Sequence, residues 1–274
     1  MKKNMYLIML LFCMLLHSCS TYQKEYLKDD SGIMVENMKN NTDSERYNHD
    51  NQIYIPGTKY IYNFTYTKGE KEFYMKGVPD TEEWSLIPFK EKSGKINKIY
   101  LDVRSGLSPF IEKIPDYNQT VIKYDYLLEN GKVWNNEMTG IIENKKNIWI
   151  HPPRMGLFQI LEMAPFPFIN WDNLKKNKPW KWSLTYGSHY ANPLWMIWQG
   201  NINSKTTYIP NGIKKIQTPL GDLACYEINS TSHSRLGNTQ LKFFFNETYG
   251  FVRLEYVNID QSKIILNLEK VDKL

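Results

Sequence analysis

The chain has 274 residues, 42% of them hydrophobic and 23% charged, with a mean hydropathy of −0.53. That composition excludes a disordered chain, a collagen-like repeat and a polytopic membrane protein, and it leaves room for one large domain or two small ones. The formal net charge is +5. Lys2 and Lys3 lie in a segment expected to be removed, so the mature chain would carry about +3 (5 − 2) with no block of basic residues, which gives nucleic-acid binding no support.

In chain order, Lys2 and Lys3 come first and an apolar run from Met5 to Leu16 follows. The run is too short to span a bilayer as a helix and reads as a secretory signal. It ends in Leu16-His17-Ser18-Cys19, with an aliphatic residue three before the cysteine and a small one directly before it. This resembles the lipobox of bacterial lipoproteins, His17 departing from the small or hydroxyl residue usual at its place. The resemblance implies a signal peptide over residues 1–18, cleavage before Cys19, a diacylglycerol on its thiol and an acyl group such as palmitate on its new amine. At ~0.8 kcal/mol per buried CH₂, several such chains anchor a protein stably to a membrane. Ser20, where an aspartate would favour inner-membrane retention, points to the outer membrane. The alternative is an ordinary secretory signal with a chance cysteine.

There are three cysteines: Cys13 in the signal, Cys19 at the anchor and Cys225 alone in the remainder. Acylation of Cys19 leaves no intramolecular disulfide. Cys225, within Leu-Ala-Cys-Tyr-Glu-Ile, reads as a buried small hydrophobe. From Cys19 to residue 51 the chain is polar and poor in large aliphatics, the composition of a flexible tether, whose coil dimensions would hold a folded part ~30 Å from the lipid. Residues 52–274 then form a single β-rich domain.

Tyr60, Tyr62, Phe64 and Tyr66 alternate with mostly polar neighbours, the period of a half-buried strand. Val121–Leu128 and Lys132–Glu143 flank Asn130-Gly131, a hairpin signal. A turn over Asn144–Asn147 leads into Ile148–Ile150. Met155–Ala164 spaces Leu157, Phe158 and Leu161 as a short helix stopped by Pro165, a piece able to plug a curved sheet. Strands follow at Ile213–Thr218, Leu223–Ser230, Thr239–Asn246, Phe251–Asn258 and Ser262–Glu269, joined by short turns. In the last, Ile264, Leu266 and Leu268 share one face. Short connections require antiparallel pairing, so the fold class is all-β or β-dominated: a meander forming a curved sheet or half-barrel with one short helix.

No P-loop, dinucleotide fingerprint, nucleophile elbow or zinc spacing occurs, so no cofactor and no metal are expected, and nothing in the sequence calls for an enzyme. His151 and Arg154, beside Pro152-Pro153, stand at a strand end next to Trp149. Arg154 there is able to fork onto a carboxylate or phosphate of an amphiphile, or simply to cap local carbonyls while His151 bonds at the rim. Glu137 and Glu143 fall on one strand face and read as solvated. Tyr62, Phe64, Trp149, Trp195 and Trp198 either line an apolar pocket or fill a core. Trp195-Met196-Ile197-Trp198 is either a membrane- or ligand-facing loop or a buried strand.

Around Thr218-Pro219-Leu220-Gly221, residues 205–270 are loosely similar in strand–turn pattern to the LolA/LolB-like curved sheets and to the periplasmic DUF3108 proteins. That resemblance implies an open half-barrel holding an acyl chain or other apolar ligand, and transfers no binding residue. The expectation is a lipid-anchored envelope protein, outer membrane favoured. Its ligand set is Tyr62, Phe64, Trp149, His151, Arg154, Trp195 and Trp198, and it binds an apolar or amphiphilic molecule without chemistry. An envelope scaffold with a filled core and a protein partner is the alternative, and a hydrolase using His151 or His233 the third reading.

Overall fold

The computed structural model describes residues 25–37, 51–88, 94–105 and 118–273. The signal peptide and Cys19 lie outside the described residues, as does part of the stretch read as a tether. Within that stretch, β1 (Tyr26–Lys28) and β2 (Met34–Glu36) pair as an antiparallel hairpin. Ile33 and Val35 are buried, so this portion is docked and not a coil. It docks through side chains distant in sequence: Met34 N–H donates to Asn147 Oδ1 (2.9 Å), and the amides of Asn144 and Asn147 donate to the Met34 carbonyl (2.8 and 3.0 Å).

The main sheet is built from β3 (Thr58–Lys68), β4 (Lys71–Gly77), β5 (Trp84–Pro88), β6 (Ile96–Val103), β7 (Thr120–Leu128), β8 (Val133–Glu143), β9 (Asn147–Ile150) and β10 (Phe168–Asn170). It continues with β11 (Trp180–Tyr186), β12 (Ile202–Thr218), β13 (Gly221–Ser234), β14 (Gly237–Asn246), β15 (Gly250–Val257) and β16 (Lys263–Lys273). All pairings are antiparallel. Twelve strands follow one path, β10-β9-β8-β7-β6-β3-β16-β15-β14-β13-β12-β11, with β4 and β5 branching from β3. The expected β-dominated meander is therefore present, and it curls into a nearly closed barrel. β10 and β11, the two ends of the path, meet through rings: Phe168 sits edge-on to Trp180 (6.4 Å) and to Tyr208 (5.6 Å).

Alternation explains the closure. The aromatics of β3 at positions 60, 62, 64 and 66 are all buried, as are Ile264, Leu266 and Leu268 of β16, which pair with Tyr66, Phe64 and Tyr62. Two strands presenting such faces to one interior bury large rings, at ~25 cal/mol per Å² of apolar surface removed from water. The expected helix is a 3₁₀ helix over Gly156–Met163, bracketed by prolines and inserted into one end of the barrel. Phe158 meets Phe64 edge-on (4.9 Å) and Tyr126 (5.6 Å). One true α-helix occurs among the described residues, α1 (Trp171–Lys175), started by Asn170, whose side chain accepts from Asn173 N–H.

The barrel has two distinct ends. At the hairpin end lie β1–β2, the Asn144–Asn147 turn, α1, the tip of β12–β13 and the end of β16. At the plug end lie the 3₁₀ helix, the 129–131 turn and the loop from Gly187 to Asn201.

Candidate functional site

The plug brings a set of ionisable groups together. β9 ends at Ile150, and the prolines that follow turn the chain so that His151 packs on Phe166 (ring centroids 4.9 Å). Its Nδ1 lies 2.8 Å from the Pro152 carbonyl oxygen. A carbonyl only accepts, so Nδ1 carries a proton and donates it. Nε2 then faces Glu162 Oε1 of the plug at 3.3 Å. Burial pushes the Glu162 carboxyl up to about 7, the nearby Arg154 working in the opposite direction. Burial pushes His151 down to about 4. Both shifts favour the neutral forms, so a protonated Glu162 lies beside an unprotonated Nε2 without a hydrogen bond between them.

Arg154 stands beside them. Its backbone N–H donates to Glu137 Oε1 (2.7 Å), its Nε lies 3.2 Å from Glu137 Oε2, and a guanidinium nitrogen donates to the Met138 carbonyl (3.1 Å). Tyr126 hydroxyl also donates to Glu137 Oε1 (2.5 Å), and Tyr190 interacts with both Arg154 and Glu162. Arg154 is thus committed to its own chain. Glu137 and Glu143 are not a solvated face, because each is turned inward onto donors. Glu143 accepts the backbone N–H groups of Gln52, Ile53 and Tyr54 (3.0, 2.9 and 2.8 Å).

The structure does not gather the expected ligand set around one void. Tyr62 donates its hydroxyl to the Phe251 carbonyl (2.8 Å), and Phe64 is covered by the plug. Trp149 packs on Phe166 (5.8 Å) and Trp182 (6.1 Å). In the loop at the plug end, Trp195 donates to the Tyr190 carbonyl (3.0 Å), and Trp198 meets Tyr186 edge-on (5.9 Å). Both tryptophans are buried and Ile197 between them is 69% exposed, so that motif splits between core and surface. An apolar gap lined by Tyr62, Tyr124, Ile150, Pro152, Leu254 and Leu266 amounts to about 20 Å³. Two surface clefts of about 330 and 300 Å³ have charged rims at the hairpin end.

Among the described residues no group of three His, Cys, Asp or Glu side chains could hold a metal. His233, the other base considered, is exposed and bonded to Asn238 (2.8 Å). Cys225 is buried, and burial pushes its thiol up to about 11. Sequence reasoning found His151 and Arg154 and missed Glu162, Glu137 and Tyr190. One signal was present for Glu162: it is the lone acid in a proline-bracketed apolar run, and a plug that buries such a run must neutralise it.

Fold and cluster together define a nearly closed antiparallel barrel with an aromatic-rich interior and a buried His151–Glu162 pair at its plug. No protein-family model matches the chain, and no curated protein matches it significantly. Among solved structures it is similar to a candidate exported protein with a YmcC-like fold from Bacteroides fragilis (12% identity, 80% of this chain and 97% of that one, TM-score 0.43). It is also similar to a candidate lipoprotein from Parabacteroides distasonis (14%, 80% and 97%, 0.44) and to the hypothetical lipoprotein YmcC from Escherichia coli (9%, 80% and 87%, 0.34). At these values the likenesses carry no functional argument.

Proposed function

We propose that the chain is a lipid-anchored cell-envelope protein that acts through its outer surface as a scaffold or interaction module, not by enclosing a cargo. The anchor rests on the lipobox-like Leu16-His17-Ser18-Cys19. The mode of action rests on one observation, the small apolar gap of about 20 Å³ inside the barrel. A site for a drug-sized or acyl ligand spans ~300–1,000 Å³, whereas ~10–15 Å³ of such space suits one water. Tyr62, Phe64 and Trp149 support this reading by spending their apolar surface on one another and on the plug. Arg154 spends its Nε on Glu137 and one terminal nitrogen on the Met138 carbonyl, bonds within its own chain.

Native mass spectrometry of residues 20–274 purified without detergent tests the mode of action. The expected spectrum is the bare chain, and one retained lipid-sized adduct per chain would overturn the proposal in favour of carriage. Labelled palmitate incorporated by the intact chain and lost in Cys19→Ala tests the anchor. Incorporation that survives the substitution would remove it.

A further inference from the structure

We infer that the β12–β13 ribbon and the adjoining α1–β11 loop form a membrane-facing surface that rests on anionic phospholipid headgroups. The inference goes beyond the proposed function and depends on it only for the acylation of Cys19. It begins with a strand-length mismatch. β13 pairs with β14 only from Tyr226↔Phe245 onward, and β11 pairs with β12 only up to Trp180↔Tyr208. Beyond those pairs β12 and β13 continue with each other alone, to Thr218↔Gly221. A bulge between Pro210 and Ile213 sets off this extension, with Gly212 at φ 76° supplying a left-handed position. Counted from Tyr226, the ribbon reaches ~20 Å past the barrel rim at 3.3 Å per residue.

A two-stranded ribbon alone in water is marginal, yet this one exposes apolar side chains. Ile213 on the ribbon and Ile209 just before it are 62% and 54% exposed, while Ile216, Leu220 and Leu223 are half-buried and pack against the edge of the core. Beside its base, the loop that enters β11 carries Lys175, Lys176, Lys178 and Lys181, all exposed, within seven residues that contain no acid. Lys214 and Lys215 add to them on the ribbon. The acids nearby are Asp172, Asp222 (2.9 Å from Lys215), Glu227, which accepts from the Asn211 amide at the bulge, and Glu247, which binds the Tyr226 hydroxyl. Apolar side chains among lysines match the boundary between acyl chains and anionic headgroups.

The occupant follows from where the chain leaves the described structure. The β1–β2 hairpin docks at this same end, and six positions separate Glu25 from Cys19, which span at most ~20 Å when extended. The anchor's maximum span from Glu25 and the ribbon's extension past the rim are of similar length. A domain held by that short leash presents its hairpin end to the bilayer, and the ribbon tip meets the lipid. At the opposite end Ile197 and Leu194 are also exposed apolar groups, and they give the competing orientation.

The acylated full-length protein, reconstituted in vesicles of phosphatidylcholine and phosphatidylglycerol with a headgroup nitroxide quencher, decides between them. A fluorophore is placed at Gln217→Cys on the ribbon or at Ile197→Cys in the plug-end loop. The buried Cys225, its thiol pushed up to about 11, stays unlabelled at neutral pH. The expected result is quenching at 217 and none at 197, with the quenching at 217 lost in Lys176→Glu/Lys214→Glu and in 1 M salt. Quenching at 197, quenching at neither position, or quenching at 217 that ignores both charge reversal and salt would each overturn the inference. The intact mass of the same sample reports acylation of Cys19, so a failed anchor and a failed orientation give different results.

Discussion

With Nδ1 of His151 given to the Pro152 carbonyl, the plug buries His151 and Glu162 side by side, each favoured in its neutral form. Burial raises Glu162 to about 7, above its unfolded ~4.3. The stabilisation from its protonated form is therefore present at low pH and lost as pH rises through 7. Burial lowers His151 to about 4, below its unfolded ~6.5, so its neutral form is stabilising above 6.5 and the contribution is lost as pH falls towards 4. Between ~4.5 and ~6.5 the two slopes oppose each other and the wild type is nearly flat. In Glu162→Gln the carboxyl slope vanishes while the side chain keeps its size and polarity. Its melting temperature should climb by a few degrees from pH 4.5 to 6.5, followed by circular dichroism; wild-type and variant curves that stay parallel would refute the raised Glu162 carboxyl. At this scale the sequence disclosed His151 and Arg154, because prolines mark the strand end. It hid what they bond to, since a carboxylate eleven positions away in a 3₁₀ turn has no periodic signature.

Among the elements, the plug depends on how it starts. Gly156 sits at φ 60°, and a Cβ there would lie 2.9 Å from Met75 Cε and 3.0 Å from its sulfur, the atom that faces Leu157 N–H at 3.3 Å. Gly156→Ala combines left-handed strain with overpacking, at roughly 2–4 kcal/mol. The expected lowering of the urea midpoint at an unchanged slope would show it, and a neutral effect would mean that the plug rearranges freely. Strands with clean alternation, such as Tyr60–Tyr66 and Ile264–Leu268, were legible because one face is core and the other is not. β11 also alternates, with Trp180, Trp182 and Tyr186 inward, yet it has no place among the strands expected from the sequence. β1 and β2 have three residues each, too few for a period. They persist through Asn144 and Asn147, more than a hundred residues away, which no local window contains.

For the whole molecule, curvature was legible and closure was not, because closure is decided by strand order and not by any one strand. β10 and β11 carry no mutual ladder, and their junction is held by Phe168, Trp180 and Tyr208, the last two stacked at 5.5 Å with their planes 4° apart. Trp180→Ala should cost ~3–5 kcal/mol, the range for truncating a buried aromatic. Amide exchange should accelerate in residues 168–170 and 180–186 before it does in β15. Uniform acceleration across all strands would show instead that the seam opens only with global unfolding.

The pairing of β3 with β16 has a consequence for biogenesis. The other neighbours along the twelve-strand path are consecutive strands, except β6 and β3 with the β4–β5 branch between them, whereas Thr58 meets Lys273 across almost the whole described chain. A polypeptide threaded through a translocation channel from its amino terminus would already have released both meanders before the strand that joins them appears. The two meanders are joined only once β16 has emerged, and loss of residues 263–273 would leave two unsealed halves.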